Sequence, residues 1–300
     1  MSWRIVMIEQ GEVLRLKMDN LYVKKGTSEY TIPLSDISMI IISNLDSIVT
    51  TRLLDAFAQY NISLVTCDYK HQPNGIFTGM NTNFRASKIF KNQISWTDLF
   101  KDRVWSKIIY YKILNQNEVI TSLFGEKSEE RVGLLDEYLE NIELGDSTNR
   151  EGHAAKVYFK TLFGSDFVRD NDIDIRNACL NYIYAIVRAF FARMIVGYGL
   201  SGLIGVHHKN EYNKFNLVDD LMEPFRPYCD YYVIQNLKDI KIFDLDARMK
   251  LVDILNYKIK YNNQNIMMCA AIEKYIISFL KYCRTENLED FVPPVLKINE

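Results

Sequence analysis

Ile62-Ser-Leu-Val-Thr-Cys67, closed shortly afterwards by the turn Gln72-Pro-Asn-Gly75, is the stretch on which the fold turns. Six short apolar residues bounded by turn chemistry read as a buried strand. Nothing like it follows: beyond about residue 82 strand signals vanish and long helical periods take over. Working back towards the N terminus, Ile37–Ile42 is an unbroken apolar run, as in a strand covered on both faces. Thr50–Tyr60 has a helical period that puts Leu53, Leu54, Phe57 and Ala58 on one face. Upstream, Arg4–Ile8, Glu12–Met18, Leu21–Lys25 and Tyr30–Leu34 read as strands, with turns at Asp19-Asn20 and Gly26-Thr-Ser28. Pro33 cannot donate to a ladder and argues for an edge position.

Working forward, the periods predict helices over Trp96–Asn117, Ser128–Ile142, a segment from the capping loop Gly145–Asn149 through Phe163, Asp174–Tyr198, Leu217–Met222, Asp246–Tyr257 and Asn265–Cys283. Pro224 and Pro227 confine the fifth of these, and the tail Phe291–Leu296 reads as extended and free to dock on a partner. The expected class is α+β: a small N-terminal β domain (1–82), a linker (83–98), a larger all-α domain (99–288) and a C-terminal tail (289–300).

The 300 residues are 48% hydrophobic and 25% charged, with 19 Tyr and 16 Phe, a globular composition able to fill a sizeable core. The net charge of −2 is not that of a generally basic nucleic-acid binder, so any such binding must come from local patches. The five scattered cysteines lack C-x-x-C spacing and suit a reducing cytoplasm. The most apolar stretch, Ala178–Leu200, is interrupted by Asn181, Arg188 and Arg193 and reads as a buried helix.

Three segments carry chemistry. Asn149-Arg-Glu151-Gly-His-Ala-Ala enters a helix, with Glu151 in its first turn. Gly205-Val-His207-His208-Lys209-Asn210 holds two of the four histidines, and neighbouring side chains diverge, so one of them is the better ligand. Asp219-Asp220-Leu-Met-Glu223-Pro-Phe-Arg226 puts Asp220 and Glu223 one helical turn apart. Each alone has a plain structural explanation: a capping glutamate, a hydrogen-bonded histidine pair, an acidic face balanced by Arg226. Together, carboxylates and an imidazole suit a hard cation, Mg2+ or better Mn2+, able to polarise a phosphate oxygen.

Arg150-Glu151-Gly-His-Ala-Ala, Asn177-Ala-Cys-Leu-Asn181-Tyr182-Ile-Tyr184, Gly205-Val-His-His208 with Asn210, and Phe215-Asn-Leu with Asp220-Leu-Met-Glu223-Pro-Phe-Arg226-Pro, in this order, resemble the CRISPR-associated integrase family, the universal first Cas protein (Cas-one), in its type II-A branch. The resemblance spans nearly the whole chain. It implies an N-terminal β domain used for dimerisation and a helical, metal-dependent catalytic domain. It puts the metal ligands on Glu151, His208 and Glu223, with Asp220 as an alternative ligand or a support. His208 is chosen over His207 because it lies twelve residues before Asp220 and fifteen before Glu223. His207, Asn210, Tyr158 and Tyr184 take supporting roles, and Arg85, Lys88, Lys91, Lys209 and Arg226 are the candidate DNA contacts. The implied activity is spacer acquisition. The 3′-hydroxyl ends of a short duplex attack repeat DNA, with associated endonuclease activity, and the work belongs to antiviral defence in the cytoplasm. The implied partners are double-stranded DNA (prespacer and CRISPR repeat), a second copy forming a homodimer, the small second Cas protein (Cas-two) in a 4:2 complex, and in this branch the Cas-nine effector and a ring-forming accessory protein. A non-catalytic DNA-binding scaffold and a stand-alone nuclease of branched DNA are the alternatives.

Overall fold

The computed structural model describes residues 4–80, 83–169, 171, 173–237 and 241–298. The boundary expected at residue 82 and the last two residues of the tail lie outside the described residues. The chain divides into two compact units, Met1–Ile89 with Ala185–Leu200, and Phe90–Tyr184 with Ser201–Glu300.

The first unit holds two four-stranded sheets. Strands β1 (Arg4–Ile8), β2 (Val13–Lys17), β3 (Asn20–Lys25), β4 (Ser28–Pro33), β5 (Ile37–Ile42) and β6 (Ile48–Val49) precede helix α1 (Thr51–Gln59), which is followed by β7 (Ser63–Cys67) and β8 (Pro73–Phe77). One sheet has the order β1-β5-β7-β8, parallel across the first three strands and antiparallel at the last. All six residues of β5 are buried, which accounts for its unbroken apolar run in the middle of a parallel set. The other sheet has the order β4-β3-β2-β6, and β4 lies at its edge, where Pro33 withholds no ladder bond that a neighbour needs. The β2–β3 turn is two residues, Met18 and Asp19, with φ of 50° and 56°; two positive φ values match the twist of a tight hairpin. Leu53 and Phe57 of α1 are fully buried against Leu14, Ile40 and Leu64, and burial of such side chains contributes about 1.5–3 kcal/mol each. Arg193 Nε donates to the Asn61 carbonyl at 2.9 Å, fastening 185–200 to this unit. The helical domain expected over 99–288 includes this segment.

The second unit is helical. Its elements are α2 (Ala86–Ile94), α3 (Asp98–Phe124), α4 (Glu129–Glu140), α5 (Arg150–Phe163), α6 (Ile175–Gly197), α7 (Asn216–Met222), α8 (Arg226–Leu237), α9 (Leu245–Val252), the strands β9 (Lys258–Tyr261) and β10 (Gln264–Met267), and α10 (Met268–Thr285). The division between the units falls inside α2 and α6. Helix α2 occupies most of the stretch read as a linker. Helix α6 is long and apolar enough to cross a membrane by composition, but 72% of its most apolar window is buried within the protein, as expected of a core helix. Helix α3 is the axle: Thr97 caps it by accepting from Phe100 N at 3.2 Å, and Val104, Trp105, Ile108, Ile109 and Ile113 are buried along it.

Two readings are corrected here and one is extended. The helix expected over Asp246–Tyr257 is α-helical only to Val252 and closes in a 3-10 turn over Asp253–Asn256, and the one expected over Asn265–Cys283 gives up its first residues to the hairpin β9–β10, where Asn262 and Asn263 take positive φ and close a two-residue turn. Pro224 and Pro227 confine α7 as expected, its last residue being Met222, but the chain stays helical beyond it. Glu223–Phe225 forms one 3-10 turn and α8 starts at Arg226, with Pro227 in the first turn, where its missing N–H is harmless. The tail packs on its own unit: Leu296 N donates to Asn115 Oδ1 at 2.8 Å, Asn115 Nδ2 donates to Pro294 O at 3.1 Å, and Phe291 is fully buried.

Candidate active site

The carboxylates, the histidines and their partners belong to the second unit. Helix α5 begins at Asn149, whose φ of 53° and side-chain acceptance from Gly152 N make it the cap. Asp146 completes the job, with its two carboxylate oxygens taking Arg150 N at 2.8 Å and Glu151 N at 3.0 Å. The helix start is therefore satisfied without the Glu151 side chain. That carboxylate instead reaches Lys112 of α3, with Oε1 at 2.5 Å from Nζ.

Glu223 meets the same ammonium from the opposite side, Oε2 at 2.5 Å from Lys112 Nζ, while its Oε1 accepts from Arg226 Nε at 2.8 Å. Its side chain is 5% exposed. Burial works to raise its pKa, but Arg226 and Lys112 outweigh burial and hold the carboxyl down at about 2. Burial likewise works against the Lys112 charge, and Glu223 and Glu151 overcome it, so its pKa lies above the ordinary lysine value.

The histidine loop is organised by Asp220, which is fully buried. Its carboxylate accepts from Val206 N at 2.6 Å, His207 N at 3.0 Å, His208 N at 3.1 Å and His208 Nδ1 at 2.6 Å. An acceptor with four donors orients the loop and the His208 ring. A Cβ on Gly205 would stand 2.5 Å from Asp220 Oδ2 and 2.6 Å from His208 O, so only glycine lets the loop wrap the carboxylate. Because Asp220 takes the Nδ1 proton, the His208 Nε2 is the ring's remaining donor atom. The hydrogen bond to Asp220 raises the His208 pKa, against partial burial, with the Asp220 charge adding to it. His207 does a different job: its ring stacks on Trp105, centroids 4.1 Å apart and planes 4° from parallel.

The sequence candidates are thus distributed unevenly. Glu151 and Glu223 converge on one cation, and His208 is tied to Asp220. Among the described residues no three His, Cys, Asp or Glu side chains are placed to enclose a metal ion. The donor set nevertheless fits a hard divalent cation: two carboxylates already gathered about a positive charge, and an imidazole oriented by a carboxylate, as metal-binding histidines commonly are. Arg226, read as a DNA contact, pairs its Nε with Glu223 and holds its guanidinium 4.6 Å above the Tyr184 ring, with its side chain 25% exposed. Tyr158 and Tyr184 are core residues facing Asp230. Tyr184 donates to the Asp230 carboxylate and Tyr158 approaches it. Burial raises the Asp230 pKa to about 6 despite both hydroxyls and Arg226. Asn210 folds the loop locally, with its Oδ1 taking Tyr212 N at 2.9 Å and its carbonyl taking Asn216 Nδ2 at 2.9 Å. Arg85, Lys88, Lys91 and Lys209 are exposed. Arg85 lies just before α2, where its carbonyl takes Ile89 N, and Lys88 and Lys91 fall within that helix.

Sequence reasoning missed Lys112, Asp230 and the Trp105 stack as parts of the site. Lys112 left a signal: it continues the buried spacing Trp105, Ile108, Ile109, and a lysine on a core stripe calls for an acidic partner.

The family model "CRISPR associated protein Cas1" matches residues 5–252. A protein of Neisseria meningitidis serogroup C (strain 8013), a CRISPR-associated endonuclease Cas1, is 35% identical over 304 aligned positions, covering 100% of this chain and 99% of the relative. Among solved structures, a casposase bound to integration product superposes with a TM-score of 0.79 at 19% identity, covering 100% of this chain and 96% of the casposase. A chain of a Cas6-RT-Cas1–Cas2 complex gives a TM-score of 0.76 at 14% identity, over 97% of this chain and 36% of the other. The α+β order of a β-rich N-terminal part and a helical remainder is that of these neighbours. Full-length similarity to a named endonuclease, together with the family match, means that this chain belongs to the Cas1 family of CRISPR-associated nucleases and integrases.

Proposed function

We propose that this chain is a spacer-acquisition integrase: it joins the 3′-hydroxyl ends of a short prespacer duplex to phosphodiesters of repeat DNA, and cuts DNA when water replaces the hydroxyl. The observation that carries this reading is the convergence of Glu151 and Glu223, 72 residues apart in sequence, on one buried positive charge, with a carboxylate-oriented His208 near enough to feel the Glu223 charge. Glu151, Glu223 and the His208 Nε2 would hold Mg2+ or Mn2+. Bound there, the ion would supply Lewis acidity towards a phosphate oxygen and neutralise charge as the hydroxyl attacks.

The rest is done by the chain's own residues. Arg226 keeps Glu223 ionised, and so a ligand, at any physiological pH. Asp220 fixes the ring and tautomer of His208. Trp105 holds His207 and, through it, the loop. Phosphodiester exchange needs positioning and charge neutralisation more than covalent chemistry from the protein, and this constellation is built for both. Arg85, Lys88, Lys91 and Lys209 are the proposed contacts along the DNA path.

The proposed partners are prespacer and repeat DNA, a second copy of this chain and a small Cas2 subunit in a 4:2 assembly. The DNA-bound casposase and the Cas1–Cas2 complex among the structural neighbours support this choice. The type II-A assignment, and with it the Cas-nine effector and ring-forming protein, rests on the motif resemblance.

The test is joining of a labelled 3′-hydroxyl duplex into a repeat-bearing plasmid with Mn2+ and the Cas2 subunit. Glu151→Ala, His208→Ala and Glu223→Ala are each expected to abolish it. Joining retained by all three variants would refute the site.

A further inference from the structure

We propose that Lys112 is the resident counter-cation of the site: its ammonium and a divalent ion are alternative occupants of the same pair of carboxylates, so metal binding requires the lysine to withdraw. This rests on the reading of Glu151 and Glu223 as metal ligands.

The geometry argues for competition and not for coexistence. Nζ stands 2.5 Å from one oxygen of each glutamate, and the Lys112 side chain is 9% exposed in the heart of the second unit. A buried carboxylate, Glu223, and a partly buried one, Glu151, brought together without a cation would repel each other and lose solvation. Arg226 serves only one of them, by its Nε on Glu223 Oε1. Lys112 is therefore the group that lets Glu151 and Glu223 approach each other when no metal is bound. A divalent ion drawing on those same oxygens would face a full positive charge a few ångströms away, in a setting that screens charge poorly. A lysine suits this role better than an arginine. Its charge is a compact point on a four-carbon stem, free to rotate away, whereas a guanidinium would clamp a carboxylate with two parallel hydrogen bonds. The two glutamates come from separate elements, α5 and the turn before α8, and Lys112 joins both to α3. The site is thereby gathered in advance and held closed to weakly binding cations.

The test is Mn2+ binding, read from the electron paramagnetic resonance of the free ion and by calorimetry, on the full chain without DNA. Wild type is compared with Lys112→Met, which keeps the stem and removes the charge, and with Lys258→Met, an exposed lysine of β9. Lys112→Met is expected to bind Mn2+ at least 10-fold more tightly than wild type, and Lys258→Met to match wild type. Unchanged or weaker binding by Lys112→Met overturns the proposal while leaving the metal site intact. Failure of wild type to bind Mn2+, or binding that survives Glu151→Ala with Glu223→Ala, sinks the metal-ligand reading and the proposal with it. If Lys112→Met cannot be purified without metal, Mn2+ in the purification is expected to restore a folded protein. A chain that stays unfolded in Mn2+ also overturns the proposal.

Discussion

Asp220 shows how much one buried carboxylate can organise. Three consecutive backbone N–H groups and the ring of His208 all donate to it, so an amide in its place would turn a donor towards donors. Asp220→Asn is expected to cost about 3 kcal/mol in urea unfolding, as charge-assisted hydrogen bonds are lost in a dry setting. It should also weaken Mn2+ binding by about 10- to 100-fold, the usual range for a group that orients a metal histidine. Gly205→Ala attacks the same wrap by sterics and should reproduce the binding defect. His207→Ala removes the stack on Trp105, about 1 kcal/mol, and an edge contact with the His208 ring, and should leave joining far less affected than His208→Ala. A joining assay in which His207→Ala is the more damaging would reverse the assignment of the two histidines.

At the scale of elements, the start of α5 separates a structural duty from a chemical one. Asn149 both caps the helix and sits at a φ of 53°, so Asn149→Ala removes a cap and strains the backbone. A loss of about 1–2 kcal/mol is expected, against a few tenths for Asn149→Gly, in chemical denaturation. Glu151, capping nothing, should be replaceable by Gln with joining abolished and the α5 cap undisturbed. If Glu151→Gln frays the helix by hydrogen exchange, the division of labour is wrong. The hairpin β9–β10 teaches a related lesson. Lys258-Ile-Lys-Tyr and Gln264-Asn-Ile-Met are too short to announce strands against the helical periods on either side, and only the pair Asn262-Asn263 marked the turn.

Across the whole molecule, charge decides behaviour. Burial raises the Asp230 pKa to about 6 from 3.8, so between those values the folded chain holds a proton that the unfolded chain has released. Stability from this group therefore falls as pH rises from about 4 to 6, by up to about 3 kcal/mol, and stays lost above. Asp230→Asn keeps an acceptor for Tyr184 and removes the charge, so its stability advantage over wild type should grow through that window and level off near pH 7. A pH-independent difference in denaturant midpoint would refute it. Glu223 acts with the opposite sign: its carboxyl, held near 2, contributes stability above its ordinary value of 4.5 that is lost as pH falls below it. With a net charge of −2, DNA affinity must come from patches. Alanine at Lys88, Lys91 or Lys209 should each lower the slope of log affinity against log salt by about 1. Unchanged slopes would remove those residues from the DNA path.

Much was legible in the order of residues alone. A period of two giving way to 3.6 near residue 82 fixed the α+β class, because those periods follow from backbone geometry and need no neighbour. The unbroken run of β5, the Pro33 edge, and the Glu151, His208 and Glu223 segments with their family resemblance were read the same way. Tertiary structure decided what depends on which distant groups meet. It put Lys112 between two glutamates, gathered three backbone N–H groups and the His208 ring on Asp220, paired Arg226 with Glu223 and clustered 185–200 with the β-rich unit. A side chain's type states what bonds it can make; only the packed chain states which partner is within 3 Å, and in a buried site that proximity sets both charge and chemistry.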